Sequence, residues 1–524
     1  MKRRDFCKGL AVTFAAGTLA PAAALPQAGA ATALVGRAVP DDYYTLWYRS
    51  DRCGADLRHD YYYSDSLFDH PATEYDNQLA LATLGMAAAA DCTWESDQRY
   101  WMEGEVGRAD HIRGAFAKLG FTEVQLFNYT HSLNDTPDTV GCAIARKTLV
   151  RGGRQVTIIG AFLRGSGYGA EWSGNLHAGP GSAHVGFVTA ARQLVEKIRA
   201  YVQASAKRQP LGTLKLWMGG YSRGGGVANL VAARLPAVLP QLEKKNTFVY
   251  TFAAPASLTA ADCPDLQQDY DNNHAADGSL KKNWGTSNIF NIVSSGDVIP
   301  RILPAEWGFY RNGNDRFLPS TVIPEELQAL NDRSAGMEGT PIDFGRLAVS
   351  EETDAVLRSM MDLFCDRQTY YKGYEDAMRC MLQCATTRTE EEVTRGIVRD
   401  DAAVVAQLRS MELMQRFPQE KVERCVQAAS ALSRPVLEKL GSAVPLQAQQ
   451  IVIPMLAVGL CFELQPETVQ LVADFVLSTI TVKGQLSGIL KTVLCHFQEN
   501  YITVLEAYDP ADHGMTPYTR REEL

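Results

Sequence analysis

Apolar runs alternate with helical segments in the middle of the chain. Runs of five to eight mainly apolar or β-branched residues predict buried strands at residues 156–163, 214–218, 247–254 and 288–294. Between the first two runs, one face of a predicted helix carries Val188, Ala191, Leu194, Val195 and Ile198. Because strand–helix–strand alternation favours parallel pairing with right-handed crossovers, the pattern predicts an open, mostly parallel α/β sheet. Its site is expected at the carboxyl ends of the strands.

Helical patterns flank this region on both sides. The preceding text predicts an N-terminal α/β layer, with helices at residues 77–91 and 109–119 and a strand at residues 123–128. Beyond residue 325 the strand runs disappear, and periodicity predicts helices at residues 353–365, 374–384, 402–417, 421–440 with a break at Pro435, 466–479 and 487–508. This helical insertion either packs on the sheet edge or forms a cap or lid over the pocket.

The first 30 residues have the order of a twin-arginine signal peptide. A basic start with Arg3 and Arg4 is followed by apolar residues 9–20 and by a small-residue cleavage site at residues 28–30. We therefore expect export by the bacterial twin-arginine machinery and a secreted or extracytoplasmic location. The remaining chain is predicted to comprise an α/β core at residues 40–320, the insertion at residues 321–505 and a C-terminal segment at residues 506–524.

Composition indicates a large globular protein with an acidic surface. The 524 residues are 46% hydrophobic and 21% charged, and removing the leader, which carries a net +3, changes the formal charge from −9 to −12. Such a surface repels nucleic acid and anionic lipid headgroups, so neither is expected as a partner. The apolar run at residues 451–464 contains Pro454 and Glu463 and is shorter than the ~20 residues of a membrane span. No membrane span is expected.

The cysteines favour a reduced core. Eleven are present, Cys7 lies in the leader, and the other ten form no C-x-x-C pair. Because twin-arginine export handles a protein that has folded in the cytoplasm, buried reduced thiols are expected rather than a disulfide framework. Cysteine, histidine and carboxylate spacings do not fit a zinc site, so neither a metal nor a cofactor is expected.

The second predicted strand is followed by a sharp turn and a helix built around one serine. Residues 220–224, GYSRG, form a G-x-S-x-G nucleophile elbow, which lifts the Ser222 hydroxyl above the sheet. Gly220 and Gly224 are required because a Cβ there would collide with the neighbouring strand or helix. The helix start directs N–H groups at Ser222, so the Arg223 N–H can help stabilise an oxyanion. The alternative is an idle serine in a nucleotide-binding turn, but no G-x-x-x-x-G-K-[ST] accompanies it.

A serine nucleophile needs a base and a carboxylate that orients the base. In hydrolases with this elbow the chain order is Ser, acid, His, and only His274, His496 and His513 follow Ser222. Asp297 directly follows a buried strand and is the predicted acid. His274 precedes that acid in a polar loop, and His496 lies inside a predicted apolar helix, where a core histidine is expected. His513 lies in polar, turn-forming text and is the predicted base.

These segments carry a family resemblance. The runs AFLRGSGYGAEWSGNL, HVGF, GYSRGGGVANL, TFAAPA and NIVSSGDVIPRILP resemble the class 3 (fungal-type) lipase family, in particular its bacterial lipase-like members. The resemblance covers residues 61–304 and the tail around His513. It implies an α/β-hydrolase fold, a triad of Ser222, Asp297 and His513, and an oxyanion hole formed by the N–H groups of Ser166 and Arg223.

Two features depart from the family pattern. Arg223 replaces the small residue or leucine that usually follows the nucleophile, and the insertion lengthens the spacing between acid and histidine. His184 matches a family position that we interpret as structural. The expected activity is therefore cleavage of carboxylic esters, of small-molecule or lipid origin, through an acyl-enzyme. An acyltransferase or a serine peptidase could use the same triad, and the alternative of another class is a non-catalytic binding protein on a hydrolase scaffold.

Overall fold

The computed structural model of the protein describes residues 38–49, 56–91, 105–129, 138–166, 171, 174–175, 184–259, 286–294, 297, 299–301, 309–318, 376–377, 380–381, 384, 399–440, 446–464 and 495–507. The expected signal peptide, the predicted helices at residues 353–365 and 466–479, and His513 lie outside the described residues.

A seven-stranded sheet forms the centre of the described chain. Its strands are β3 (Thr122–Phe127), β4 (Cys142–Arg151), β5 (Arg154–Leu163), β6 (Thr213–Tyr221), β7 (Thr247–Phe252), β9 (Ile289–Ser294) and β11 (Asn314–Leu318). The spatial order is β11-β9-β7-β6-β5-β4-β3. The neighbouring strands from β11 to β5 pair parallel, whereas β4 pairs antiparallel with both β5 and β3. The middle strand, β6, is therefore the one that leads into the predicted elbow.

Helices cover both faces of the sheet. One face packs against α1 (Asn77–Asp91) and α2 (Glu105–Lys118), and the other against α3 (Val185–Arg208) and α4 (Arg223–Val238). Trp217 in β6 is fully buried on the first face, where its indole N–H donates to Thr83 Oγ1 at 2.7 Å and its ring meets Phe162 edge-on at 4.8 Å. Burial on both faces explains why the parallel strands are nearly continuous apolar runs.

This architecture confirms the predicted fold class. A mostly parallel sheet with helices on both faces and a serine at the turn after a central strand is the α/β-hydrolase fold. The predicted strands correspond to β3, β5, β6, β7 and β9, and the four predicted helices of this region correspond to α1, α2, α3 and α4.

Some strands of this region were not predicted. Strand β4 was not predicted; it lies between β3 and β5 and pairs antiparallel with β5 along the whole length of both strands. An antiparallel hairpin, β1 (Asp42–Arg49) with β2 (Asp56–Tyr63), precedes it. Two further short strands, β8 (Leu258–Thr259) and β10 (Phe309–Tyr310), pair with each other. Polar and charged residues interrupt β1, β2 and β4, so these strands lack the regular alternation of apolar and polar residues that would predict them.

The described part of the insertion is helical and has its own core. Helices α5 (Asp401–Arg409), α6 (Gln419–Leu440) and α7 (Leu446–Cys461) contribute to an apolar cluster that is separate from the two clusters flanking the sheet. A short 3-10 helix, Glu412–Arg416, takes the place of the second half of the helix predicted at residues 402–417. The prediction of a helix break at Pro435 is wrong, because α6 continues past Pro435 to Leu440.

The helix predicted at residues 487–508 is interrupted at His496, because Cys495 is helical, the chain turns at His496 and Phe497, and a new helix follows. Residues 487–494 of the prediction lie outside the described residues. Helix α8 (Gln498–Ala507) begins only at Gln498, and His496 lies in the turn just before it. Buried residues of α8, including Tyr501 and Ile502, join the cluster on the α1 face of the sheet. The turn is therefore anchored against the hydrolase core.

Two further expectations concern cysteines and membranes. The six cysteines among the described residues form no disulfide with one another, and all but the half-buried Cys425 are buried: Cys142, Cys380, Cys384, Cys425, Cys461 and Cys495. Within the same residues, every helix is too short or too polar to cross a membrane.

Candidate active site

Ser222 occupies a strained turn between β6 and α4. Its backbone angles are φ 53° and ψ −124°, a left-handed conformation that non-glycine residues adopt only under constraint. The constraint comes from both sides, because the Ser222 N–H donates to Phe252 O at 2.9 Å and its carbonyl accepts from the Gly226 N–H at 3.0 Å. The hydroxyl is therefore presented at the carboxyl edge of the sheet, as the motif predicts.

The elbow glycines have the predicted steric reason. A Cβ on Gly220 would lie 2.4 Å from the Gly224 carbonyl oxygen. A Cβ on Gly224 would lie 2.5 Å from the carbonyl oxygens of Leu163 and Arg164 at the end of β5. Real Cβ atoms do not approach backbone oxygens this closely, so both positions require glycine.

The histidine beside Ser222 is His496, which corrects the prediction of His513. His496 Nε2 lies 2.9 Å from Ser222 Oγ, and His496 Nδ1 lies 2.8 Å and 3.0 Å from the two carboxylate oxygens of Asp297. A carboxylate only accepts, so Nδ1 carries the proton and Nε2 is left to accept from the serine hydroxyl. Ser222, His496 and Asp297 thus form a continuous hydrogen-bonded chain.

The prediction of His513 failed because of a helix boundary. The apolar run from residue 487 predicts one continuous helix, which would place His496 in a core. However, Gln498, Glu499 and Asn500 interrupt the apolar text immediately after the histidine, and α8 starts at the first of them. A polar cluster after an apolar run is a possible helix start. It would have kept His496 as a candidate.

Asp297 lies after β9, as predicted, and is completely buried. Besides His496, it accepts from the Tyr501 hydroxyl at 2.7 Å and from the Ile299 N–H at 2.9 Å. Tyr501 Oη also accepts from the Ser294 N–H at 3.1 Å. Burial, and then the Asp297 carboxylate, raise the pKa of Tyr501 well above its ordinary value, so the phenol stays a proton donor. Several donors thus compensate the buried negative charge.

The imidazole ring of His496 packs against an aromatic ring on one face and is partly exposed to solvent. Its ring lies over Tyr221, with the centroids 5.2 Å apart, and 20% of its side chain is exposed. Tyr221 in turn meets Tyr501 edge-on at 6.0 Å. The aromatic contacts fix the plane of the imidazole while one edge of it remains open to solvent or a substrate.

Ser166 and Arg223, the two predicted oxyanion-hole residues, are joined through Asn175. The Asn175 side-chain amide donates to Ser166 Oγ at 2.8 Å, and its oxygen accepts from Arg223 Nη1 at 2.9 Å. Arg223 Nε also donates to the Thr139 carbonyl at 2.9 Å. The guanidinium lies over the Phe187 ring, 5.2 Å from its centroid, and is almost fully buried. Sequence reasoning missed Asn175, which no motif distinguishes from other polar residues.

His184 has the structural role that was expected. It caps the start of α3, where its Nδ1 accepts from the Phe187 N–H at 3.3 Å. Its Nε2 donates to the Asn175 carbonyl at 2.8 Å. The histidine therefore holds the backbone of the residue that joins Ser166 to Arg223.

Asp91, at the end of α1, links the histidine segment to the Ser166 segment. Gln498 Nε2 donates to Asp91 Oδ2 at 2.8 Å, and the Gly165 N–H donates to the same carboxylate. Burial raises the pKa of Asp91, although the nearby guanidinium groups of Arg108 and Arg164 act in the opposite direction. Segments distant in the chain are thus fixed to one buried side chain.

Part of the chain matches a known family. Residues 165–307 match the family described as Lipase (class 3), which confirms the resemblance predicted from the motifs. The matched segment is just over a quarter of the chain and includes Ser166, Ser222 and Asp297 but not His496. No curated protein matches the chain.

Several solved lipase structures are similar to part of the chain. Lipase II from Rhizopus niveus is 16% identical over 46% of this chain and 80% of its own, with a TM-score of 0.30. The lipase from Rhizopus microsporus var. chinensis is 16% identical over 47% and 75%, with a TM-score of 0.31. The Rhizomucor miehei lipase propeptide complex is 17% identical over 47% and 70%, with a TM-score of 0.31. The fold assignment does not rest on these similarities; it rests on the strand order of the sheet and on the elbow at Ser222.

Proposed function

We propose that the protein is an exported serine hydrolase that cleaves carboxylic esters, of lipid or other acyl origin. The observation that carries this proposal is the hydrogen-bonded chain Ser222–His496–Asp297 at a strained elbow. Three polar residues from distant parts of the sequence meet at donor–acceptor distances suited to nucleophilic catalysis. A binding protein on the same scaffold would not need these three side chains to be hydrogen-bonded in series.

The geometry supports acyl transfer through the serine. Ser222 Oγ attacks the ester carbonyl while His496 Nε2 takes its proton, and Asp297 stabilises the imidazolium that forms. His496 then gives the proton to the leaving alkoxide as the carbonyl re-forms and the acyl-enzyme appears. In the second half, His496 removes a proton from the water that attacks the acyl-enzyme, and it returns this proton to Ser222 Oγ as the carboxylic acid leaves.

Negative charge develops on the carbonyl oxygen in both tetrahedral intermediates. The Arg223 N–H, at the N-terminus of α4, and the Ser166 N–H, after β5, are the proposed donors to it. The close packing of Gly224 against the end of β5 supports this assignment, because it brings the two segments together. Each such donor is worth roughly 3–4 kcal/mol of transition-state stabilisation.

The class 3 lipase match supports a lipid ester as the substrate class. An acyltransferase or a serine peptidase would share the acyl-enzyme and differ only in the acceptor or in the scissile bond. A panel of esters from acetate to long acyl chains, with a peptide and an amide included, discriminates among these activities. Ester cleavage that exceeds amide cleavage, with water as the acceptor, is the expected outcome.

The Ser222→Ala variant tests the nucleophile. A fluorophosphonate probe should label Ser222 in the wild-type protein, and the substitution should abolish labelling and ester turnover together. Peptide mapping of the labelled protein identifies the modified residue. Labelling that persists in the variant would exclude the proposed nucleophile.

Export is proposed from the leader alone. Replacing Arg3 and Arg4 by lysine should leave the full-length precursor in the cytoplasm, because the twin-arginine machinery reads that pair. Cell fractionation followed by immunoblotting measures this. Unchanged export of the double variant would contradict the twin-arginine route.

A further inference from the structure

The residue after the nucleophile carries a side chain that the oxyanion hole does not require. Only the N–H of Arg223 is needed there, yet its guanidinium is 1% exposed and lies among fixed partners. A buried guanidinium is costly unless its N–H groups are hydrogen-bonded. Arg223 satisfies part of this need through the Thr139 carbonyl and the Asn175 amide. Burial lowers the pKa of Arg223 to about 10, so the group is still cationic at neutral pH.

Asn175 connects this cation to the other side of the hole. Its oxygen accepts from Arg223, and its NH₂ group donates to Ser166 Oγ. The opposite orientation of the amide would place NH₂ against the guanidinium, so the contact with Arg223 fixes which end faces Ser166. The backbone of Asn175 is held separately by His184 Nε2. Rotation and translation of the amide are thus both restricted.

We propose that Arg223 is a positioning residue that acts through Asn175. Its side chain holds the Ser166 segment at the correct distance from the start of α4, so that the oxyanion hole is formed without substrate. This inference rests on the proposed function, because it assigns a role within the same site. The two residues that supply the N–H donors are also joined by their side chains, through one amide. Each donor therefore constrains the position of the other.

The expected defect is selective for the transition state. Loss of the contact between Arg223 and Asn175 frees the Ser166 segment, so its N–H no longer matches the position of the developing oxyanion. Ester binding in the ground state depends little on this donor. We therefore expect Arg223→Met to lower kcat by about 10- to 100-fold with little change in KM.

A boronic acid inhibitor provides a second readout. It forms a tetrahedral adduct with a catalytic serine and places one oxygen in the hole. Its inhibition constant should rise in Arg223→Met by the same factor as kcat/KM falls. The carboxylic acid product binds without a tetrahedral centre, so its inhibition constant should change little. A general loss of packing would weaken both.

Three further variants separate positioning from stability. Arg146 is also a buried arginine, 3% exposed, and its Nη2 pairs with Glu123 at 2.6 Å in the sheet. Arg146→Met should lower the melting temperature and leave kcat near that of the wild type. Asn175→Leu should reproduce the kcat defect of Arg223→Met. Asn175→Asp should show a smaller defect, because its carboxylate can accept from both Arg223 and the Ser166 hydroxyl.

Chemical rescue completes the test. Guanidinium ion, added to Arg223→Ala at concentrations well below those that unfold the protein, should raise kcat and leave Arg146→Ala unchanged. Wild-type kcat in Arg223→Met, or equal changes in the boronate and product inhibition constants, would overturn the inference while the proposed function stands. A wild-type protein without Ser222-dependent ester turnover would instead overturn the proposed function, and this inference with it.

Discussion

At the scale of single residues, the candidate site depends on a few buried polar groups. Asp297 accepts from His496, from Tyr501 and from a backbone N–H, and none of its surface is exposed. A carboxylate with several fixed donors keeps its orientation when buried. His496 is consequently held in the tautomer that can accept the proton of Ser222. His496 is the central residue of the candidate site, because it contacts both Ser222 and Asp297.

Replacement of His496 is the most direct test of this assignment. His496→Ala should lower kcat by about four to six orders of magnitude, because the serine then has no base. Steady-state ester hydrolysis measures this loss.

His513 provides the matched control. His513→Ala should retain near wild-type kcat, since His496 occupies the position between Ser222 and Asp297. Full activity in His496→Ala together with an inactive His513→Ala would restore the original prediction.

At the scale of elements, close backbone approach sets the shape of the elbow. The start of α4 lies directly against the end of β5, and Gly224 is the point of contact. This contact brings the Ser166 segment beside Ser222. Sequence spacing predicts the need for glycine, and the structure identifies the atoms that enforce it.

Two glycine substitutions compare this contact with an open position. Gly224→Ala should destabilise the protein by about 2–3 kcal/mol and lower kcat, because its Cβ would lie 2.5 Å from two backbone oxygens. Gly114→Ala, in the exposed middle of α2, meets no atom within 4 Å and should stabilise by about 0.5–1 kcal/mol. Thermal unfolding and kcat of both variants measure this. Wild-type kcat in Gly224→Ala would argue against tight packing at the elbow.

Helices α5 and α6 of the insertion are joined by a charged contact that titrates. Asp401 accepts from Ser430 at 2.5 Å and from Arg434 at 2.7 Å, and the Ser430 bond is the larger cause of the lowered pKa of Asp401. A carboxyl with a lowered folded pKa contributes stability above its ordinary value of 3.8 and loses it as the pH falls through the folded pKa.

Asp401→Asn tests that contribution. The side chain is 40% exposed, so the substitution should cost only about 0.5–1 kcal/mol at about pH 7. Its effect should disappear at about pH 2, where the wild-type carboxyl is protonated as well. Urea unfolding at the two pH values measures the difference. An equal cost at both would show that the effect is not electrostatic.

At the scale of the whole molecule, the described helices of the insertion bury their apolar residues against one another. The sequence predicts that the insertion forms one wall of the acyl pocket, because the apolar run at residues 451–464, most of which lies in α7, must be buried on all sides or face a ligand. In the structure the buried residues of α7, such as Leu456 and Val458, pack in the cluster shared with α5 and α6. Met455 and Leu460 are half-buried against the same cluster. Packing therefore explains the composition of α7 without a ligand, and the pocket wall stays a prediction.

Bulky substitutions decide between packing and pocket. If α7 only packs, Leu460→Trp should lower stability by about 1–3 kcal/mol and leave the preference for acyl chain length unchanged. The wild-type and variant profiles are compared on esters from acetate to long acyl chains. A shift toward shorter chains would instead place α7 at the acyl pocket, where one methylene is worth about 1 kcal/mol.

The sequence by itself determined the features that depend on local pattern. Apolar runs of strand length gave five of the sheet strands, and the GYSRG motif identified Ser222 and the need for Gly220 and Gly224. The position of Asp297 followed from its place directly after a buried strand. Each of these inferences needs only residues that are neighbours in the chain.

Tertiary structure decided the features that depend on distant contacts. His496 reaches Ser222 only because the chain turns before α8 and Tyr501 holds that helix against Asp297. Asn175 acquires its role from Arg223, which lies 48 residues further along the chain. The antiparallel strand β4 was recognisable only by its pairing with β5. Such contacts leave no periodic signal, because the free energy that fixes them comes from packing between segments rather than from any one segment.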